Sequence, residues 1–191
     1  MNPITHFFAS WCLANSADID QRDRFLVTIA GVIPDVDGLG AIAYLVTKDS
    51  AAPSRLYHDY HHILCHNILA AIVFTTIVVL LFAHKKKVTA MLVFLSYHIH
   101  LLCDILGSSG PDGHQWPIPY FLPFSDKVQL TWAGQWRLAS WQNSLITVAL
   151  MLVGFALARK KGFSFLEIFS KKADEALVYT VRTRFPLEES E

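Results

Sequence analysis

The fold is decided by residues 67–106, which read NILAAIVFTTIVVLLFAHKKKVTAMLVFLSYHIHLLCDIL. The apolar run 67–83 leads into the basic turn 85–87, and a second apolar run, 88–106, begins at once. Runs of this length approach the roughly 20 residues that an α-helix needs to cross the hydrocarbon core of a bilayer. The stretch therefore predicts a helical hairpin in a membrane, with 67–83 as its clearest transmembrane helix.

The composition of the whole chain agrees with a membrane protein. Of its 191 residues, 53% are apolar and only 17% are charged, whereas a soluble domain usually has about 25% charged residues. Lys plus Arg and Asp plus Glu number 16 each, and this zero net charge argues against a nucleic-acid-binding protein. The chain also contains nine histidines, for which a simple membrane anchor has no use.

The part of the chain before the hairpin is apolar but broken. A first helix is predicted over residues 3–15, and residues 25–46 are long enough to cross a bilayer. Inside the second segment, Gly31-Val32-Ile33-Pro34-Asp35-Val36-Asp37-Gly38 brings helix breakers and two carboxylates together. Carboxylates in an apolar segment are costly in lipid and usually functional. We expect a helix to about residue 33, a break, and then a second short helix.

After the hairpin, a long connection leads to a last apolar helix. Residues 107–142 are rich in Gly, Pro and Trp, and the tryptophans suit an aromatic belt at the membrane surface. The run 143–158 ends at the basic cluster 159–161, and both basic clusters are expected in the cytoplasm. The sequence thus predicts an all-α, polytopic membrane bundle with three or four transmembrane helices. A membrane domain, 1–161, would precede a charged amphipathic tail, 162–191, on the cytoplasmic side.

Histidines gather at one end of the predicted hairpin. In an antiparallel hairpin the start of the first helix lies beside the end of the second, opposite the lysine turn. One set of candidate ligands precedes the first helix and another ends the second: His58, His61, His62 and His66, and His98, His100 and Asp104. This distribution predicts a polar site, with bound metal, at one end of the bundle.

Spacing indicates which of these side chains can share an ion. His100 and Asp104 are four residues apart and lie on one face of a helix, and so would His62 and His66. His61 and His66 are five residues apart, roughly 140° around an ideal helix. They converge only if His61 lies at a helix start or at a bend.

Two aspartates in the broken segment extend the set. Asp35 and Asp37 flank Val36, and in an extended chain both would point to the same side. Imidazole nitrogen with carboxylate oxygen is a typical ligand set for zinc, manganese or iron, and this many ligands can hold one or two ions. Such ions activate a water molecule and stabilise charge on a phosphoester or acyl oxygen.

These elements resemble the YdjM-type family of membrane-bound metal-dependent hydrolases of bacteria. The resemblance covers most of residues 1 to about 125. It rests on Thr5-His6, Gly31–Asp37, His61–Asn67 and His100–Asp104. The last of these is also similar to a short metal-binding element of zinc-dependent phospholipase C.

The third element departs from the usual family pattern, His-Arg-Gly-x-Thr-His-Ser. This chain has His62 where arginine is common and Ile63 where glycine is common, and it has Cys65-His66-Asn67 for Thr-His-Ser. The two outer histidines, His61 and His66, are kept. His62 therefore becomes an additional candidate ligand.

The resemblance implies a multi-pass protein of the inner membrane that hydrolyses its substrate with a metal-activated water. The expected cofactor is one or two divalent ions, with zinc as the first choice and manganese or iron as alternatives. The expected partners are the lipid bilayer and a small-molecule or lipid-derived substrate, such as a phosphoester. A His or Asp of the group that does not bind metal would serve as the general base. The expected metal ligands are His6, Asp35, Asp37, His61, His66, His100 and Asp104.

The same residues also suit other functions. A non-catalytic metal-binding or metal-transporting protein would use similar residues, although a transporter would place them near the middle of the bilayer. A haem-binding electron carrier could use histidines on membrane helices, but Asp35, Asp37 and Asp104 do not suit haem iron. An inactive scaffold is a further alternative. Outside the main set, His84 is expected in solvent, His98 at a surface or beside the ligands, and His114 near the site entrance.

Overall fold

The computed structural model describes residues 1–110 and 113–186, and the regular structure in this part of the chain is helical. Two 3₁₀-helices, Ile33–Leu39 and Phe165–Ile168, accompany the α-helices. The described residues contain isolated bridges, such as that between Ile118 and Leu130, and no strand. The all-α prediction is therefore confirmed. The α-helices are α1 (Pro3–Ala14), α2 (Gln21–Ala30), α3 (Gly40–Thr47), α4 (Leu56–Tyr60), α5 (Ile68–Phe82), α6 (Lys86–Gly107), α7 (Trp141–Lys161) and α8 (Lys171–Arg184).

Two helices of the described chain are long and apolar enough to cross a membrane. They are α6, with 22 residues, and α7, with 21. The pair formed by α2 and residues 33–47, bent by 46°, is a third candidate, either as a broken crossing or as a re-entrant loop. The structure thus has two or three candidate crossings, against the three or four predicted.

Helix α5 is shorter than the sequence suggests. Its 15 residues span about 22 Å at roughly 1.5 Å per residue, less than the ~30 Å of a bilayer's hydrocarbon core. The helix starts at a defined point because the side chain of Asn67 accepts a hydrogen bond from the backbone N–H of Ala70. It ends where Ala83 turns to an extended conformation. The segment predicted as the clearest crossing is therefore too short to cross alone in a straight line.

A buried carboxylate of α2 fixes the turn of the hairpin. The two carboxylate oxygens of Asp23 accept hydrogen bonds from the backbone N–H groups of His84 and Lys85, at 2.9 and 2.8 Å. These N–H groups precede α6 and have no partner within the helix. Asp23 therefore caps the start of α6 from a neighbouring helix, and these hydrogen bonds connect α2 to the hairpin.

Both basic clusters lie beside the connection between α1 and α2. Lys85 Nζ donates to the carbonyl oxygen of Asp18 at 2.5 Å, and Lys161 Nζ donates to that of Asn15 at 2.6 Å. The ends of α5 and α7 thus lie on the same side of the bundle, as a shared cytoplasmic location requires.

The helices pack around α1 and α6. Helix α1 contacts α2, α6 and α7, while α6 also contacts α2 and α5. Next to the basic turn, small and branched side chains form the core, including Val27, Ala30, Val79 and Val93. Along the other half of the hairpin, a second core cluster consists of Ala71, Tyr97, Leu101 and Ile118.

The C-terminal segment packs on the bundle through a buried ion pair. Nε and Nη2 of Arg24 donate to the two carboxylate oxygens of Glu167 at 2.7 and 2.6 Å. The Arg24 guanidinium also lies over the ring of Phe163, at 3.7 Å from its centroid. This contact joins α2 to the segment predicted as a tail. The boundary at residue 162 stays a prediction, and residues 187–191 lie outside the described chain.

Candidate metal centre

The last turns of α6 supply two buried polar groups. His100 and Asp104 lie on one face, as their spacing predicts, with His100 Nε2 at 3.0 Å from Asp104 Oδ2. Nδ1 of His100 lies 2.8 Å from the carbonyl oxygen of Gly31. Because a carbonyl only accepts hydrogen bonds, Nδ1 carries the proton in that contact, and Nε2 of the neutral ring keeps a lone pair directed at Asp104.

The histidines before α5 lie on a turn. Helix α4 ends at Tyr60, His61 is extended, and His62 has a φ of 67°, in the left-handed region. The prediction that His62 and His66 share a helix face is therefore wrong, since the chain leaves the helical conformation between them. His61 does lie at a bend, which is the condition for its convergence with His66.

Asp37 holds this turn in place. Its Oδ1 accepts from Nδ1 of His61 at 2.8 Å, and its Oδ2 accepts from Nδ1 of His66 at 3.0 Å and from the backbone N–H of Cys65 at 3.1 Å. His66 is thus oriented with Nε2 pointing away from Asp37. That atom lies 3.1 Å from Nε2 of His100 and 3.4 Å from Oδ2 of Asp104.

Asp35 faces a different partner from Asp37. Its Oδ1 lies 3.7 Å from Nε2 of His100. The prediction of an extended pair pointing to one side is wrong, because residues 33–39 form a 3₁₀-helix. With about three residues per turn, side chains two apart point in different directions. The aspartates therefore meet the cluster from two sides of the same short helix.

Helix α1 contributes His6. Its ring stacks on that of His100, with centroids 3.8 Å apart, and its Nε2 lies 3.2 Å from Oδ1 of Asp104. The carbonyl oxygen of Met1 lies 3.1 Å from the same nitrogen, and the amino nitrogen of Met1 contacts Asp104 Oδ1. His6 is 1% exposed, so its side chain is buried within the cluster.

Three potential ligand atoms converge at the centre of the site. They are Nε2 of His66, Nε2 of His100 and Oδ2 of Asp104, separated by 3.0 to 3.4 Å. Ligands about 2.1 Å from a tetrahedral zinc ion are about 3.4 Å from one another, so this spacing fits a metal ion. Oδ2 of Asp104 is buried and has no hydrogen-bond partner. A cation, either a proton or a metal ion, is needed to stabilise the arrangement.

The pKa of His66 is raised, which shows that its surroundings also favour positive charge. Burial acts to lower this pKa, but interactions with Asp104 and then Asp37 outweigh burial and raise it to about 9. The surroundings of the ring thus favour a cation at this position.

All the predicted ligands occur in compact groups. In each group, one ligand atom per residue lies within 4.8 Å of the others, and the residues can hold a metal ion. His66 and Asp104 connect the groups, so the predicted set forms one continuous cluster. The groups are His6, Asp35, His100 and Asp104; Asp37, His61 and His66; and His62, His66 and Asp104.

His62 joins this cluster, although the sequence did not assign its role. It is 2% exposed, its Nε2 lies 3.8 Å from Oδ2 of Asp104, and its Nδ1 is buried without a hydrogen-bond partner. Burial, and then the neighbouring His66, hold the pKa of His62 well below its usual value. The ring therefore stays neutral and can offer a lone pair.

The other histidines lie outside these groups. His98 contacts the hydroxyl of Tyr120 at 2.8 Å. His84 is exposed beside the lysine turn, as predicted, and lies 2.5 Å from a carboxylate oxygen of Asp20. His114 is exposed in the long connection. The side chain of His58 lies outside the described part of the chain.

Two aromatic residues complete the site, and sequence reasoning missed them. The ring of Tyr57 stacks on His61 at 4.7 Å between centroids, and the ring of Trp116 lies 5.0 Å from His61 and 5.2 Å from His62. Trp116 was predicted as a membrane-belt residue, and no local pattern links it to histidines more than 50 positions away. Burial, followed by Asp35, raises the pKa of Tyr57 to about 12, so its hydroxyl remains a hydrogen-bond donor.

Comparison with known proteins places the chain in a family. The model of the family described as YdjM inner membrane protein matches residues 1–178, which include every candidate ligand. Comparisons with curated proteins and with solved structures give no match. The apolar helices agree with the membrane location in the family description, which names no reaction. The chain belongs to the YdjM inner membrane protein family.

Proposed function

We propose that the chain is a metal-dependent hydrolase of the inner membrane that acts on a phosphoester or lipid-derived substrate. The observation that supports this most directly is the convergence of His66 Nε2, His100 Nε2 and Asp104 Oδ2 at 3.0 to 3.4 Å. Three such groups with one open position are the ligand set typical of a catalytic zinc site.

The cluster offers ligands for one or two ions. His66, His100 and Asp104 would hold the first ion, with His6, Asp35 or His62 within reach of the same volume. Asp37 and His61 would either hold a second ion with His66 or keep His66 oriented. A bound divalent ion supplies a Lewis acid that makes water nucleophilic at neutral pH. Zinc remains the first choice, because the ligands combine imidazole with carboxylate.

The residues around the cluster suit proton transfer and substrate positioning. The neutral ring of His62 and the protonated hydroxyl of Tyr57 belong to residues that line a cavity of about 240 Å³, to which Asp35 and Asp104 also contribute. A histidine and a phenol beside a reacting group can accept and donate protons.

We place the site at the end of the hairpin opposite the basic turn. His66 precedes the start of α5, and His100 and Asp104 are in the last turns of α6, whereas Lys85 precedes the start of α6. If the basic turn is cytoplasmic, the cluster faces the outer side of the inner membrane.

Elemental analysis of detergent-purified protein tests the metal site. We expect wild-type protein to retain a divalent metal, and we expect His100→Ala and Asp104→Ala to lose it. His98→Ala is the matched control, because His98 lies on α6 outside the ligand groups. Full metal content in both cluster variants would contradict the assignment. Cleavage of soluble or lipid phosphoesters by metal-loaded wild type, absent in Asp104→Ala, is the expected evidence of hydrolysis.

One observation favours a metal transporter as the second candidate. The break between α2 and the following helices carries Asp35 and Asp37 within a bent candidate membrane segment, and transporters often bind ions at discontinuous helices. Metal flux into sealed liposomes, with no hydrolysis of any phosphoester, would favour that function. A haem-binding role is disfavoured by the carboxylates, and a visible absorption band of haem would revive it.

A further inference from the structure

The cluster opens into a small cavity with partly apolar walls. The cavity has a volume of about 240 Å³, and Leu39, Ile42, Trp116 and Leu138 line it together with the polar residues of the site. Sites that enclose a whole drug-sized ligand usually measure about 300 to 1,000 Å³. The cavity therefore accommodates a group the size of a lipid headgroup and excludes whole acyl chains.

One wall of this cavity belongs to an exposed apolar surface. Leu39 and Ile42, which line the cavity, are 58% and 61% exposed. The same surface continues along α3 through Leu45 and Val46, and no residue of α3 is buried. The chain belongs to an inner membrane family and α3 is part of a bent candidate membrane segment, so an exposed apolar surface at this place suits contact with lipid.

A second cavity adjoins the first. It measures about 570 Å³ and shares Tyr57 and Trp116 with the smaller cavity. Ser54 and Arg55 contribute polar groups to its lining, and the Arg55 guanidinium is largely exposed, with a loose contact of 3.4 Å to Asp59. An arginine in such a position matches the phosphate or the polar headgroup of an anionic lipid.

We propose that the substrate is a membrane phospholipid that reaches the site sideways from the bilayer, past α3. This inference rests on the proposed hydrolase function. The phosphate would lie against the His and Asp cluster, the acyl chains would stay in the bilayer beside Leu39 and Ile42, and the headgroup would extend toward Arg55. Water forms the new bond to phosphorus, the phosphorus–oxygen bond to the alcohol breaks, and a water proton passes to the leaving alcohol.

Photolabelling tests the route without relying on catalysis. The full chain is reconstituted in nanodiscs that contain phosphatidylglycerol with a diazirine in its headgroup. After irradiation, mass spectrometry locates the label. We expect label on the peptides that contain Tyr57 and Trp116. Ile42→Trp, which fills the cavity mouth, should abolish this label, whereas Leu45→Trp on the same helix should retain it. Metal content equal to that of wild type shows that each variant is folded.

Label found only on the lipid-facing exterior of the protein would contradict entry of the lipid from the side. Label on the Tyr57 and Trp116 peptides that is unchanged in Ile42→Trp would contradict it too. A second experiment measures hydrolysis of long-chain phosphatidylglycerol and of its soluble headgroup analogue, glycerophosphoglycerol. Cleavage of the soluble compound without internal label contradicts the lipid substrate and leaves the hydrolase proposal intact. Internal label without cleavage of any phosphoester contradicts the hydrolase proposal, and with it the assignment of the lipid as substrate.

Discussion

The Nε2 atoms of His66 and His100 lie 3.1 Å apart, and each ring directs its other nitrogen to a fixed acceptor. Asp37 accepts from Nδ1 of His66 at 3.0 Å, and the carbonyl of Gly31 accepts from Nδ1 of His100 at 2.8 Å. When both rings are neutral, their Nε2 lone pairs face each other, and Asp104 Oδ2 adds a third acceptor. A metal ion between these atoms would stabilise the arrangement.

Removal of metal is therefore expected to destabilise the folded chain. A ligand that binds only the folded state adds about 2.7 kcal/mol when its concentration is 100 times its dissociation constant. A chelator should lower the Tm of the wild-type protein in detergent, and excess zinc should restore it. His100→Ala should respond to neither treatment. Melting curves of wild type that coincide with and without chelator would count against a structural contribution of the metal.

Asp37→Asn is expected to weaken metal binding without abolishing it. The amide would present an N–H group where the carboxylate accepts from His61, His66 or Cys65. Loss of a carboxylate that orients a ligating histidine typically costs about 10- to 100-fold in metal affinity. Competition with a chelating dye would measure the change, with the exposed Asp126→Asn as the control. Loss as complete as that of Asp104→Ala would instead identify Asp37 as a ligand itself.

Local periodicity predicted one half of the site well. The run 88–106 became helix Lys86–Gly107, and the spacing of His100 and Asp104 placed both side chains on one face. Each of these features depends on residues a few positions apart, where helix geometry alone decides the outcome.

The other half depends on long-range contacts, which no local pattern encodes. The turn 61–67 is held by Asp37, which lies 24 residues before His61, and this contact overrides the helical tendency of the segment. Trp116, which lies in the long connection after α6, contacts His62 more than 50 positions earlier in the sequence. The pairing of Arg24 with Glu167 joins residues 143 positions apart. The sequence shows which residues are charged, but not which of them pair across such distances.

Substitution of His62 should separate the contribution of its side chain from that of its backbone. A φ of 67° disfavours residues other than glycine, and strained backbone of this kind costs on the order of 1–3 kcal/mol. His62→Gly should therefore have a higher Tm than His62→Ala. Both variants should bind metal more weakly than wild type, because both lack the imidazole next to Asp104. Wild-type affinity in His62→Gly would exclude His62 from the ligand set.

Glu167→Gln is expected to destabilise the bundle strongly. Arg24 and Glu167 form a buried, two-point ion pair, so loss of the carboxylate leaves a buried guanidinium without its partner. Removal of one member of such a pair typically costs about 3–5 kcal/mol, whereas exposed pairs contribute about 0–1 kcal/mol. Lys171→Ala, which breaks the exposed contact with Glu175, is the matched control. Thermal unfolding in detergent should show a large decrease in Tm for Glu167→Gln and little change for the control.

Because the penalty comes from the unpaired charge, Arg24→Met combined with Glu167→Gln should recover part of the lost stability. Failure of the double variant to recover any stability would show that packing, and not charge, dominates this contact.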